Sequence, residues 1–157
     1  MTFGQILRRK TISSIEFAPK VQKFTRFIDT NLFIRYFTRD DERKAEEVLK
    51  LLKRVERNEE KVITSPLVVF ETVFTLESYY KVPRDEIKKL LQSIFTLRGL
   101  KLDFREIFES ALELYSERKI SFADAFNACF MEKQGVEEIY SFDEDFDKIE
   151  GIRRVTP

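Results

Sequence analysis

The chain of 157 residues has no histidine, no tryptophan and one cysteine. Without histidine there is no Ser-His-Asp or Cys-His nucleophile pair and no imidazole general base. Histidine-ligated zinc is excluded as well. A lone Cys129 supplies neither a structural zinc site nor an internal disulfide. Uninterrupted apolar runs, such as Leu67 to Phe70, are far too short to span a membrane. No basic start followed by an apolar stretch and a small-residue cleavage site marks a signal peptide. The expected location is therefore the cytoplasm, with no membrane partner. Acid–base or metal chemistry is left to carboxylates, lysines, tyrosines and hydroxyls.

What the chain does have is charge and phenylalanine. Charged residues make up 36 %, hydrophobic ones 43 %, and sixteen are Phe. That length and apolar content suit one domain with a real core. The richness in Glu, Lys and Arg has the flavour of heat adaptation. The 28 bases and 28 acids cancel overall, but not locally. Arg8, Arg9, Lys10, Lys20, Lys23 and Arg26 face only Glu16 in the first 26 residues. A basic arm over residues 1–22 is expected, followed by an acidic domain over 23–157. The arm is read either as a solvated tail or as a nucleic-acid contact.

Short apolar strands alternate with longer helical patterns. Phe24–Ile28, Val62–Thr64, Leu100–Leu102, Glu138–Ser141 and Ile152–Val155 read as strands. Helices are expected from Asn31, from Asp41 with Ala45, Val48, Leu52 and Val55 at helical spacing, and from Ser65-Pro66. Further helices are expected from Pro83 with Gly99 at a left-handed end, over Glu106–Glu117, and from Ser121 to Gln134 with Gly135 beyond it. This alternation predicts an α/β fold, a parallel sheet covered by helices.

In such folds strand carboxyl ends and helix amino ends share one edge. Asp29, Glu71, Asp124 and Asp143, with Asp145 nearby, are expected there. Alternatives stand beside each. Asp29, Asp124 and Asp143 suit helix caps. Glu71, among Leu67, Val68, Phe74 and Thr75, suits a buried salt bridge. Together, four close carboxylates repel unless a cation intervenes. Oxygen-only donors select a hard ion, Mg²⁺ or Mn²⁺, which serves phosphodiester hydrolysis without histidine.

Four segments, in order, resemble the motifs of PIN-domain ribonucleases. They are Phe27-Ile28-Asp29-Thr30-Asn31, Val68-Val69-Phe70-Glu71-Thr72-Val73, Ser121-Phe122-Ala123-Asp124-Ala125 and Ser141-Phe142-Asp143-Glu144-Asp145-Phe146. The likeness extends over about residues 24–157 and is nearest to VapC-type toxins. It implies a Rossmann-like α/β/α sandwich and metal-dependent cleavage of single-stranded RNA. Asp29, Glu71, Asp124 and Asp143 match the acidic quartet, with the metal mainly on Asp29, Asp124 and Asp143. Asn31 and Ser141 match polar positions that orient the acids, and Asp145 is the alternative fourth acid. An antitoxin is the implied partner, and the aromatic helices (Phe33, Tyr36, Phe37; Phe70, Phe74, Tyr79) suggest a homodimer. The basic arm and the bulky Phe126-Asn127-Ala128-Cys129 stretch depart from the pattern. Rival readings are a PIN-type RNA-processing nuclease, a non-catalytic scaffold, and a phospho-acceptor domain using Asp103.

Overall fold

The computed structural model describes residues 26–157. The arm expected over residues 1–22, and the first two residues of the expected strand 24–28, lie outside the described residues. The elements run β1 (Arg26–Phe27), α1 (Thr30–Thr38), α2 (Glu42–Glu56), β2 (Val62–Ile63), α3 (Pro66–Ser78) and α4 (Arg84–Phe95). They continue with β3 (Leu100–Lys101), α5 (Arg105–Glu117), α6 (Phe122–Gln134), β4 (Glu138–Tyr140), a 3₁₀ turn (Glu144–Lys148) and β5 (Arg153–Val155).

Every strand pairing is parallel, as the alternation predicts. The hydrogen bonds fall into two ladders, β1-β2-β3 and β4-β5. Arg26 pairs with Val62, and Val62 with Leu100. Beyond β1 the ladder is prolonged by the Ile28 amide, which donates to the Ile63 carbonyl at 2.9 Å. The Thr64 hydroxyl, buried, donates to the Ile28 carbonyl at 2.8 Å. These two bonds hold the end of β1 firmly just before Asp29.

Local chemistry explains the helix ends. Asp41 caps α2 by accepting from the Lys44 amide at 3.0 Å, and that bond holds its carboxyl below the usual range. Ser65 accepts from the Val68 amide, and Pro66 follows at the first helical position. Gly135 closes α6 at φ 68°. Ala45, Val48, Leu52 and Val55 bury one stripe of α2. Val48, Leu52 and Val55 join Ile28, Phe33, Leu76, Ile87, Leu91, Phe108 and Leu112 in a continuous core.

Gly99 is a correction. The helix from Arg84 ends at Phe95, with a right-handed Thr96 after it. Gly99 is absent from the positive-φ positions. Its role is close approach: an added Cβ would lie 2.2 Å from the Glu60 carbonyl oxygen and 2.8 Å from that of Val55. Its amide donates to Val55 O, and its own carbonyl accepts from the Val62 amide. Glycine is needed for space, not for a left-handed turn.

Candidate active site

Asp29 ends the segment after β1 and stands at the N-cap position of α1. Its side chain makes no cap bond, so the capping alternative fails and the carboxylate is exposed. The next residue carries the contact. Thr30 is 6 % exposed, and its hydroxyl donates to Glu71 Oε2 at 2.5 Å. This bond joins the start of α1 to the middle of α3.

The face of α3 around Glu71 is apolar, as its neighbours predict, but only its Val68 edge is buried. Leu67 is 73 % and Phe74 69 % exposed. Glu71 is itself exposed and forms no salt bridge among the described residues. The buried-pair alternative is thereby overturned: apolar neighbours on a helix do not reveal whether a second layer covers them.

Asp124 lies in the first turn of α6. Ser121 accepts from the Asp124 amide at 3.0 Å and donates its hydroxyl to Asp124 Oδ2 at 2.6 Å. The serine therefore caps the helix and orients the carboxylate at once. Past β4, Ser141 Oγ accepts from the Asp143 amide at 3.0 Å. Asp143 Oδ1 then accepts from the Asp145 amide at 2.9 Å. This tight turn swings Asp145 inward, and oxygens of Asp124, Asp143 and Asp145 lie within 4.8 Å of one another.

The cluster thus holds both candidates of the Asp-Glu-Asp register, where sequence treats them as alternatives. Asp29 is not among its three members. Aromatic packing joins the helix that carries Glu71 to the helix that carries Asp124. Phe70, beside Glu71, lies 5.3 Å from the Phe122 ring and 5.1 Å from that of Phe126. Those two residues flank Asp124. Asn31, expected to orient an acid, is exposed and makes no side-chain hydrogen bond among the described residues.

Two cations border the cluster. Lys148 pairs with Asp145. The hydrogen bond to Asp145 holds its ammonium above the usual range, aided by the field of Asp143 and Glu144. Arg154 pairs with Asp147 at 2.8 Å, and its pKa is raised chiefly by that bond and further by Glu144 and Asp143. Asp124 and Asp143 have no cationic partner among the described residues. Three close carboxylates, all oxygen donors, two of them unpaired, fit a hard divalent ion.

The PIN-domain family profile matches residues 26–152. The chain belongs to the PIN-domain family. Asp29, Glu71, Asp124 and Asp143 all fall within the matched PIN span. A VapC ribonuclease of Aquifex aeolicus (strain VF5) is 26 % identical over 132 residues, covering 84 % of this chain and 96 % of the relative. The crystal structure of Mycobacterium tuberculosis VapC20, a sarcin-ricin loop cleaving toxin, is 24 % identical. It aligns with 85 % of this chain and all of its own, at a TM-score of 0.36.

The residue that sequence reasoning overlooked is Thr30. Its only sequence signal is a hydroxyl directly after an acid at a strand end. Its partner, 41 positions away, is visible only in the fold.

Proposed function

We propose that this PIN domain is a divalent-metal-dependent endoribonuclease that hydrolyses unpaired RNA, and that it acts as the toxin of a toxin–antitoxin pair. The Asp124–Asp143–Asp145 cluster carries the reading: it is a set of oxygen donors close enough to share one cation. These three residues would hold Mg²⁺ or Mn²⁺, with Asp29 and Glu71 at the neighbouring strand end and helix. When bound, the ion supplies Lewis acidity and neutralises charge on the phosphodiester.

The chain's own residues do the rest. Ser121 holds the Asp124 carboxylate by hydrogen bonding, and Ser141 holds the Asp143 backbone amide, whose carboxylate in turn accepts from the Asp145 amide. Thr30 fixes Glu71, whose free oxygen is placed to accept a proton. Likeness to the Aquifex aeolicus VapC ribonuclease supports RNA as the substrate class. An antitoxin presenting Arg or Lys suits so acidic a centre. A homodimer over the exposed Leu67, Phe74 and Tyr79 of the α3 side would bury apolar surface that the core leaves uncovered.

The test is cleavage of a short unpaired oligoribonucleotide by the purified protein. Cleavage is expected with Mg²⁺ or Mn²⁺ and is expected to vanish in excess EDTA and in Asp124→Asn. Undiminished cleavage in either case would overturn the proposal.

A further inference from the structure

The acidic centre has an energetic problem as an RNA site. Its carboxylates repel a phosphate backbone wherever no cation covers them, so a contact that is not ionic adds affinity that the acids do not oppose. Phe142 is placed to supply one. It stands between Ser141, which accepts from the Asp143 amide, and Asp143, a member of the acidic cluster. It is 80 % exposed, the most exposed of the large hydrophobic side chains described.

Packing does not account for it. The same turn already has its anchors, Phe146 and Ile149, both buried. Phe95, Phe104, Tyr115 and Phe130 join the Phe70–Phe108–Phe122–Phe126 array, whereas Phe142, like Tyr140 on the strand before it and the buried Phe146, contacts no ring among the described residues. Its backbone is nonetheless fixed on both sides. The Ser141 amide donates to the Val155 carbonyl at 3.1 Å, and the Asp143 and Asp145 amides are both bonded within the turn. A free aromatic face on a fixed backbone is a preorganised stacking surface.

We propose that Phe142 stacks against an unpaired nucleobase adjacent to the scissile phosphate. This rests on the ribonuclease reading and adds to it a residue that touches substrate. Aromatic side chains that face solvent beside a nucleic-acid site hold bases by their π-faces, largely regardless of base identity. Bases inside a duplex offer no such face. Phe142 therefore favours single-stranded RNA over a paired segment through geometry, in addition to any preference set by the acids.

The experiment measures binding in the Asp124→Asn background, so that nothing is cleaved. The probes are a short unpaired oligoribonucleotide, the same oligonucleotide with abasic positions around the cleavage site, and a duplex of equal length. Phe142→Ala is expected to weaken binding of the unpaired probe by roughly five- to a hundredfold. Phe142→Tyr and Phe142→Trp should retain it. The abasic probe should bind equally well whether Phe142 is kept or replaced by alanine. In the active protein Phe142→Ala should raise KM and leave kcat nearly intact, with an unchanged melting temperature. Unaltered binding by Phe142→Ala overturns the proposal. So does an equal loss on the intact and abasic probes, duplex binding as tight as single-strand binding, or failure of the protein with Phe142 intact to bind RNA at all. The two readings separate cleanly. Cleavage unaffected by Phe142→Ala removes the stacking role and leaves the nuclease standing; Phe142-dependent binding without cleavage in the native chain does the reverse.

Discussion

Two polar centres of this molecule use charge in opposite ways. Arg84, at the start of α4, directs its Nε and Nη1 at four acceptors. It donates to the carbonyls of Tyr115, Arg118 and Ile120 at 3.2, 3.1 and 2.6 Å. It also pairs with Glu77 at 2.9 Å and lies 4.3 Å over the Tyr115 ring. It thus secures the end of α5 and the link into α6. A few residues on, Asp124 and Asp143 have like charges for neighbours and no direct ion pair among the described residues, with Lys148 and Arg154 bonded instead to Asp145 and Asp147. One centre is closed and stabilising. The other is open and gathers like charges, which is where a ligand of opposite sign gains most.

The contrast can be broken experimentally. Arg84→Ala should cost about 2–3 kcal/mol of stability, because it strips charge-assisted bonds from three carbonyls. Chemical denaturation would read this, and a loss below about 0.5 kcal/mol would show that water replaces the guanidinium. Thr30→Val keeps the side-chain shape and removes the bond to Glu71. Cleavage should fall by roughly 10- to 100-fold, with Thr30→Ser restoring most of it. A valine variant as active as the native chain would free Glu71 from any need of positioning.

Asp143→Asn should act on stability in the opposite sense to Arg84→Ala. In chelator it should stabilise the fold by about 1 kcal/mol, since one of three charges within 4.8 Å disappears. Added Mg²⁺ should raise the melting temperature of the native chain and barely move that of the variant. A variant less stable than native in chelator would mean that the acids are held by contacts stronger than their repulsion.

How far sequence alone reaches varies by residue. The stripe on α2 and its Asp41 cap are local signals, three to seven positions apart, and the helix forms where they predict. Ser121 and Gly135 likewise bracket α6. Gly99 is open to misreading because glycine signals either a left-handed torsion or a close approach, and sequence does not separate them. Glu71 is misplaced in the interior when judged by its apolar neighbours, because two of them, Leu67 and Phe74, face solvent while Val68 is buried. The four acids are legible through their motifs. Their division into an Asp124–Asp143–Asp145 cluster and a Thr30–Glu71 pair depends on side-chain direction, which sequence spacing does not encode.

Gly99 also bears on how the protein can be handled. Three glycines invite labels or insertions, and they resist them for different reasons. At Gly135 and Gly151 an added Cβ meets nothing within 4 Å, and only the positive φ resists. Asparagine is tolerated at such torsions at modest cost. At Gly99 the obstacle is two carbonyl oxygens fixed in the backbone, and no choice of side chain avoids them. A probe can be carried at the first two positions, while at position 99 the seam between β2 and β3 would have to open to admit even a methyl group.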